Sequence, residues 1–158
     1  MTSSDPLTPR PPTSTPVRTD FGGRSPGVVQ TGVSASVRPS RILVVDDEPQ
    51  VLELLTEVLA KAGYDVLAVG TGSDAVAVAV EFQPHVLLLD LMMPGMDGNQ
   101  VLQALRESGI QAPAVAISGH PEHARSGFLA VLAKPLDIRG LPKLVAAAVR
   151  AGQADVGA

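Results

Sequence analysis

The chain has no cysteine and no tryptophan among its 158 residues, and only one tyrosine and three phenylalanines. Without cysteine there are no disulfides, thiolate zinc sites or cysteine nucleophiles, and a reducing compartment fits. No apolar run approaches the roughly 18 residues of a membrane span. The N-terminus lacks the apolar segment of about 7–15 residues that marks a secretory signal. The expectation is a cytoplasmic protein without a membrane partner. Positive charge is also scarce. Four of the 12 Lys/Arg and two of the 16 Asp/Glu lie in residues 1–40, which makes that segment net +2 and residues 41–158 net −6. An acidic domain without a basic stripe is a poor nucleic-acid binder, because phosphate contacts dominate that affinity. No G-x-G-x-x-G follows the first apolar run, which argues against a dinucleotide site.

What is present divides the chain. Residues 1–40 hold seven of the 14 prolines and thirteen Ser/Thr. A stretch such as TPRPPTSTP (8–16) loses backbone donors and has its φ fixed, so it builds neither a helix nor a central strand. With few large apolar residues it cannot offset its ordering entropy, and residues 1–40 are expected to be a disordered tail. Residues 41–151 form the expected domain, and 152–158 a flexible C-terminus. Too few residues follow position 150 for a further output domain, so a stand-alone domain is expected.

From Arg41 onward short apolar runs alternate with helical patterns. Strands are expected at Ile42–Val45, Tyr64–Val69, Val86–Leu89, Ala114–Ile117 and Phe128–Leu132. The first helix starts at Pro49, which suits a first turn, with Gly63 as its C-cap. The second follows Thr71-Gly-Ser-Asp74 and runs to Phe82. The third spans Asn99–Glu107, and the last runs from a cap at Asp137 through Val149. Continuously apolar strands alternating with helices indicate a parallel sheet covered on both faces.

In such a fold, sites form beyond the carboxyl ends of the strands. Strand one ends at Asp46-Asp47-Glu48, strand three at Asp90 and strand four at Ser118-Gly-His120, and strand five leads into Lys134-Pro135. Two charges about 4 Å apart repel by roughly 4 kcal/mol at an effective dielectric near 20, so three crowded carboxylates carry on the order of 10 kcal/mol. Either carboxylates take up protons or a divalent cation sits among them. Oxygen ligands without cysteine favour Mg²⁺, with Mn²⁺ as the alternative.

The ordered set DD at 46–47, LLLDLMMPGMDG around Asp90, SG at 118–119 and KP at 134–135 resembles the receiver domain of two-component response regulators. The resemblance covers residues 41 to about 150. It implies a flavodoxin-like, doubly wound, five-stranded parallel sheet of order 2-1-3-4-5. It also implies a phosphorelay role: Asp90 takes a phosphoryl group from a histidine kinase or histidine phosphotransfer protein and signals to a downstream protein by contact. Asp46, Asp47, Asp90 and the backbone carbonyl of Met92 would hold the metal, Lys134 would pair with the phosphoryl oxygens, and Ser118 would hydrogen-bond the arriving phosphate. About −1.5 to −2 of new charge would then reorder the loop. Beyond self-catalysed phosphotransfer and dephosphorylation no enzymatic turnover is implied: a phosphohydrolase of this chemistry needs a second aspartate two residues past the nucleophile, where Met92 stands.

Two departures from the family pattern bear on the output. The position three before the lysine, usually aromatic, is Val131, and Phe128 is an uncertain substitute. Only sixteen positions separate Ser118 from Lys134, so the fourth helix should be short or irregular. These features motivate the alternative, a receiver-like interaction module that no longer responds to phosphate. Other residues have plainer readings. Glu48 reads as charge favoured by the first helix's dipole, Met93 and Met96 as packing, and His120 and His123 as surface loop residues. Met92 and His120, flanking the expected phosphate, are candidate modulators of its lifetime.

Overall fold

The computed structural model describes residues 17–18 and 38–157, with side chains from 38 to 154. Five parallel strands form its centre: β2 (Arg41–Val45), β3 (Asp65–Val69), β4 (Val86–Asp90), β5 (Ala114–Ser118) and β6 (Ala130–Ala133). Together with β1 (Val17–Arg18), which joins the outer edge of β3 antiparallel, they run in the order β1-β3-β2-β4-β5-β6. The five parallel strands therefore have the expected order 2-1-3-4-5. β1 was not foreseen; the rest of residues 1–37, expected as a disordered tail, lies outside the described residues.

The pleat divides the core. Leu43, Val45, Leu87 and Leu89 face α2 (Gly72–Phe82) and α3 (Gly98–Glu107), packing with Ala75, Ala79, Val101 and Leu105. Ile42, Val44, Val86 and Leu88 face α1 (Pro49–Lys61) and α4 (Leu141–Gly157), packing with Leu55, Leu59, Leu141 and Val145. Both faces of β4 are covered, which is why its sequence is an unbroken apolar run. Helix starts match their local chemistry. Thr71 Oγ1 accepts from Asp74 N at 3.0 Å. Asp97 and Gln100 form a reciprocal capping box at the head of α3. Gly63, past the end of α1, takes a left-handed φ of 98°.

Three expectations are corrected. α4 begins at Leu141, four residues beyond the expected cap; Asp137 Oδ1 instead accepts from Arg139 N at 3.0 Å and shapes the preceding turn. The same helix runs to Gly157, so residues 152–157, expected as a flexible terminus, are helical. The fifth strand lies at Ala130–Ala133, two residues later at its start than the apolar pattern placed it. The shortened fourth helix is found as expected: between β5 and β6 stands one 3₁₀ turn, Pro121–His123. That segment is tied to α3 through Asn99, whose Nδ2 donates to His123 O (3.1 Å) and whose Oδ1 accepts from Arg125 N (2.9 Å).

Candidate functional site at the carboxyl edge of the sheet

Because β2, β4 and β5 end at the same edge in register, Asp46, Asp90 and Ser118 meet there, all buried. Lys134, directly after β6, reaches across them. Its Nζ lies 2.7 Å from Glu48 Oε1, 3.4 Å from Asp46 Oδ2 and 3.6 Å from Asp90 Oδ2. Each acid is oriented by one backbone donor: Asp46 Oδ1 accepts from Glu48 N (2.9 Å), and Asp90 Oδ1 accepts from Met92 N (3.1 Å). The remaining oxygens of both aspartates turn toward Lys134. Asp46 Oδ2 is buried and has no hydrogen-bond partner among the described residues.

The electrostatics follow from this crowding. Burial, and then the neighbouring charge of Asp46, raise the Asp90 pKa from 3.8 to about 7, against the lowering effect of the Met92 N–H and Lys134. Asp46 is raised too, chiefly by burial. For Lys134, burial opposes the charge, but the hydrogen bond to Glu48 and the charges of Asp46 and Asp90 outweigh it and hold its pKa above the ordinary value.

Carboxylate oxygens of Asp46, Glu48 and Asp90 lie within 4.8 Å of one another. Three hard oxygen donors, one of them an orphaned buried atom, fit a divalent hard cation. Glu48 was missed as a site residue. It stands at the N-cap of α1 without capping its helix, and its carboxylate turns inward to Lys134. Nothing in a DDE run tells which acid turns inward. Asp47, expected as a ligand, is exposed and outside this group.

The other expected residues surround the acids. Ser118 Oγ accepts from His120 N at 2.8 Å, and Ser118 O accepts from Lys134 N at 2.9 Å, so the hydroxyl and the lysine share one hinge. The Lys134–Pro135 peptide is cis. The Met92 side chain is exposed, whereas Met93 is buried against α3. His120 is exposed, stacks on His123 at 5.2 Å between ring centroids, and lies 3.4 Å from Glu122. Val131, opposite Ala116, is 39% exposed. Phe128 is half-buried against the α2–α3 core, which makes it a core residue.

Comparisons with known proteins point to one family. The profile of the response regulator receiver domain matches residues 42–146. The DNA-binding response regulator MtrA of Mycolicibacterium smegmatis is 49% identical over 71 residues, covering 44% of this chain and 31% of that protein. A protein-glutamate methylesterase/protein-glutamine glutaminase of Myxococcus xanthus is 38% identical over 112 residues, covering 70% of this chain and 32% of the relative. The chain thus spans about a third of the length of these curated relatives. Among solved structures, the receiver domain of the hybrid histidine kinase CckA superposes with a TM-score of 0.62 at 34% identity, over 70% of this chain and 99% of that one.

Proposed function

This chain belongs to the response regulator receiver domain family, and from that premise we propose that it is a phosphoacceptor whose Asp90 takes a phosphoryl group from a phosphohistidine donor. The observation that carries the reading is the convergence of Lys134 on Asp46, Glu48 and Asp90 at one strand edge. Asp90 Oδ2, turned toward Lys134 while Oδ1 is held by Met92 N–H, is the attacking oxygen. A P–O bond forms as the donor's P–N bond breaks, and the imidazole leaves with the bonding pair. Asp46, Glu48 and Asp90 would hold Mg²⁺, which supplies neutralising charge for the phosphoryl oxygens. Lys134 then exchanges part of its carboxylate pairing for the acquired phosphoryl oxygens. Ser118, one hydrogen bond from His120 N, turns its hydroxyl to the new acceptor and carries the 118–120 loop with it.

The partners in this reading are a histidine kinase or histidine phosphotransfer protein upstream and a downstream protein recognised by contact. Beryllofluoride with Mg²⁺ tests it. Amide shifts are expected at Met92, Ser118, His120 and Lys134, and Asp90→Asn abolishes them. Binding of beryllofluoride without shifts at Ser118 and Lys134 favours the second reading, an interaction module insensitive to phosphate; the half-exposed Val131 and the single 3₁₀ turn are the observations behind it.

A further inference from the structure

Two strands leave the acidic site by separate loops, and one side chain joins those loops. The loop after β4 leads into α3, whose first residue packs on the backbone of Asp90. Gly98 N donates to Leu91 O at 3.3 Å, and the missing Cβ of Gly98 leaves room for Asp90 O. The loop after β5 starts at Ser118, whose Oγ accepts from His120 N at 2.8 Å. His120 O in turn accepts from His123 N at 2.9 Å and closes the 3₁₀ turn. Asn99, next to Gly98, bridges the two: its Nδ2 donates to His123 O at 3.1 Å and its Oδ1 accepts from Arg125 N at 2.9 Å. A continuous run of hydrogen bonds thus leads from the Ser118 hydroxyl through His120 and His123 to the first turn of α3, and so back to Asp90.

Asparagine suits this place. Its amide carries an acceptor oxygen and a donor nitrogen on a short stem. A backbone carbonyl can only accept and a backbone N–H can only donate, so the two partners fix which way the amide points. Alanine offers neither group, and aspartate keeps only the acceptor. Val131, which stands where the receiver pattern has an aromatic, is 39% exposed and offers the Ser118 hydroxyl no polar atom. We infer that Asn99 is the positioning residue through which the Ser118 hydroxyl moves the 120–125 turn as a unit against α3. The inference rests on the phosphoacceptor reading of Asp90. When Ser118 turns to the phosphoryl group it gives up His120 N and releases one end of the turn. Asn99 holds the other end, so the turn pivots about Asn99 instead of loosening. The pivoting surface presents the exposed His120, Glu122, His123 and Arg125.

Amide spectra of the ¹⁵N-labelled full-length protein, with and without beryllofluoride and Mg²⁺, test this. In wild type, the backbone amides of His123 and Arg125 and the side-chain amide of Asn99 shift together with Ser118. In Asn99→Ala, Met92 and Ser118 keep their induced shifts, whereas His123 and Arg125 lose most of theirs. Asn99→Asp, which keeps the acceptor for Arg125 N, restores the shift at Arg125 but not at His123. Ser118→Ala removes the shifts at His123, Arg125 and the Asn99 side chain, at beryllofluoride concentrations that still shift Met92. The inference is overturned if His123 and Arg125 shift as fully in Asn99→Ala as in wild type, since Asn99 is then a structural tether only. It is equally overturned if they still shift in Ser118→Ala, since the change then arrives from the Asp90 loop. Shifts at Met92 and Ser118 in wild type with His123 and Arg125 unmoved overturn it alone. A wild-type spectrum unmoved at Met92 and Ser118 overturns the phosphoacceptor reading and this inference with it.

Discussion

Asp90 and His85 sit at opposite ends of β4, and their protonation pulls stability in opposite directions. Asp90 is raised to about 7 by burial first and by Asp46 second. Its contribution is therefore complete below its unfolded pKa and is lost as pH rises through about 7. His85 is lowered from 6.5 by burial and then by Arg41, while its Nδ1 accepts from Arg41 N at 2.8 Å. Its contribution is present above 6.5 and is lost as pH falls below that value toward the folded pKa. In metal-free buffer, Asp90→Asn should stabilise the protein above neutral pH by about 1–2 kcal/mol, as charge repulsion is removed, and the gain should shrink as pH falls toward 3.8. His85→Gln should flatten the loss of stability below pH 6.5. Urea titrations of each variant against wild type across this range check both signs. Asp46, Asp90, Ser118 and Lys134 were legible in the sequence because each closes or follows its own apolar run. Glu48 was not: three consecutive acids leave a strand end, and only the backbone path decides which of them faces Lys134.

At the scale of elements, the loop after β4 decides where Asp90 points. A Cβ on Gly98 would lie 2.5 Å from Asp90 O and 3.0 Å from Leu91 Cα, both backbone atoms that cannot swing away. Gly98→Ala should cost about 1–3 kcal/mol and lower Mg²⁺ affinity, read by thermal unfolding with and without the cation. Asp97→Ala, which removes only the α3 cap, should cost about 1 kcal/mol and leave Mg²⁺ affinity nearly unchanged, which separates the two effects. Leu105→Ala, inside the α2–α3 core, should cost about 2–5 kcal/mol. Strand and helix identities were readable from periodicity and caps. The start of α4 was not, because Asp137 is a competent cap residue, and tertiary packing of Leu141 on the sheet placed the helix later. The reduced fourth helix was readable from spacing alone. Its tether through Asn99 was not, since Asn99 makes its contacts 24 and 26 residues away.

At the scale of the molecule, β2, β4 and β5 deliver three polar side chains to one edge, and β6 adds the amine. The apolar pattern foretold the five parallel strands, because buried parallel strands are written as continuous runs. β1 escaped it: two residues within a proline-rich segment carry no periodicity, and their place depends on the unpaired edge of β3. In the proposed function, the acids that meet at this edge receive a phosphoryl group from outside. Intact-mass analysis after incubation with acetyl phosphate and Mg²⁺ tests that claim most directly. The account predicts one added phosphoryl group, mapped to Asp90, released by hydroxylamine and absent in Asp90→Asn. An unmodified wild-type chain, or a phosphoryl group that persists in Asp90→Asn, would contradict it.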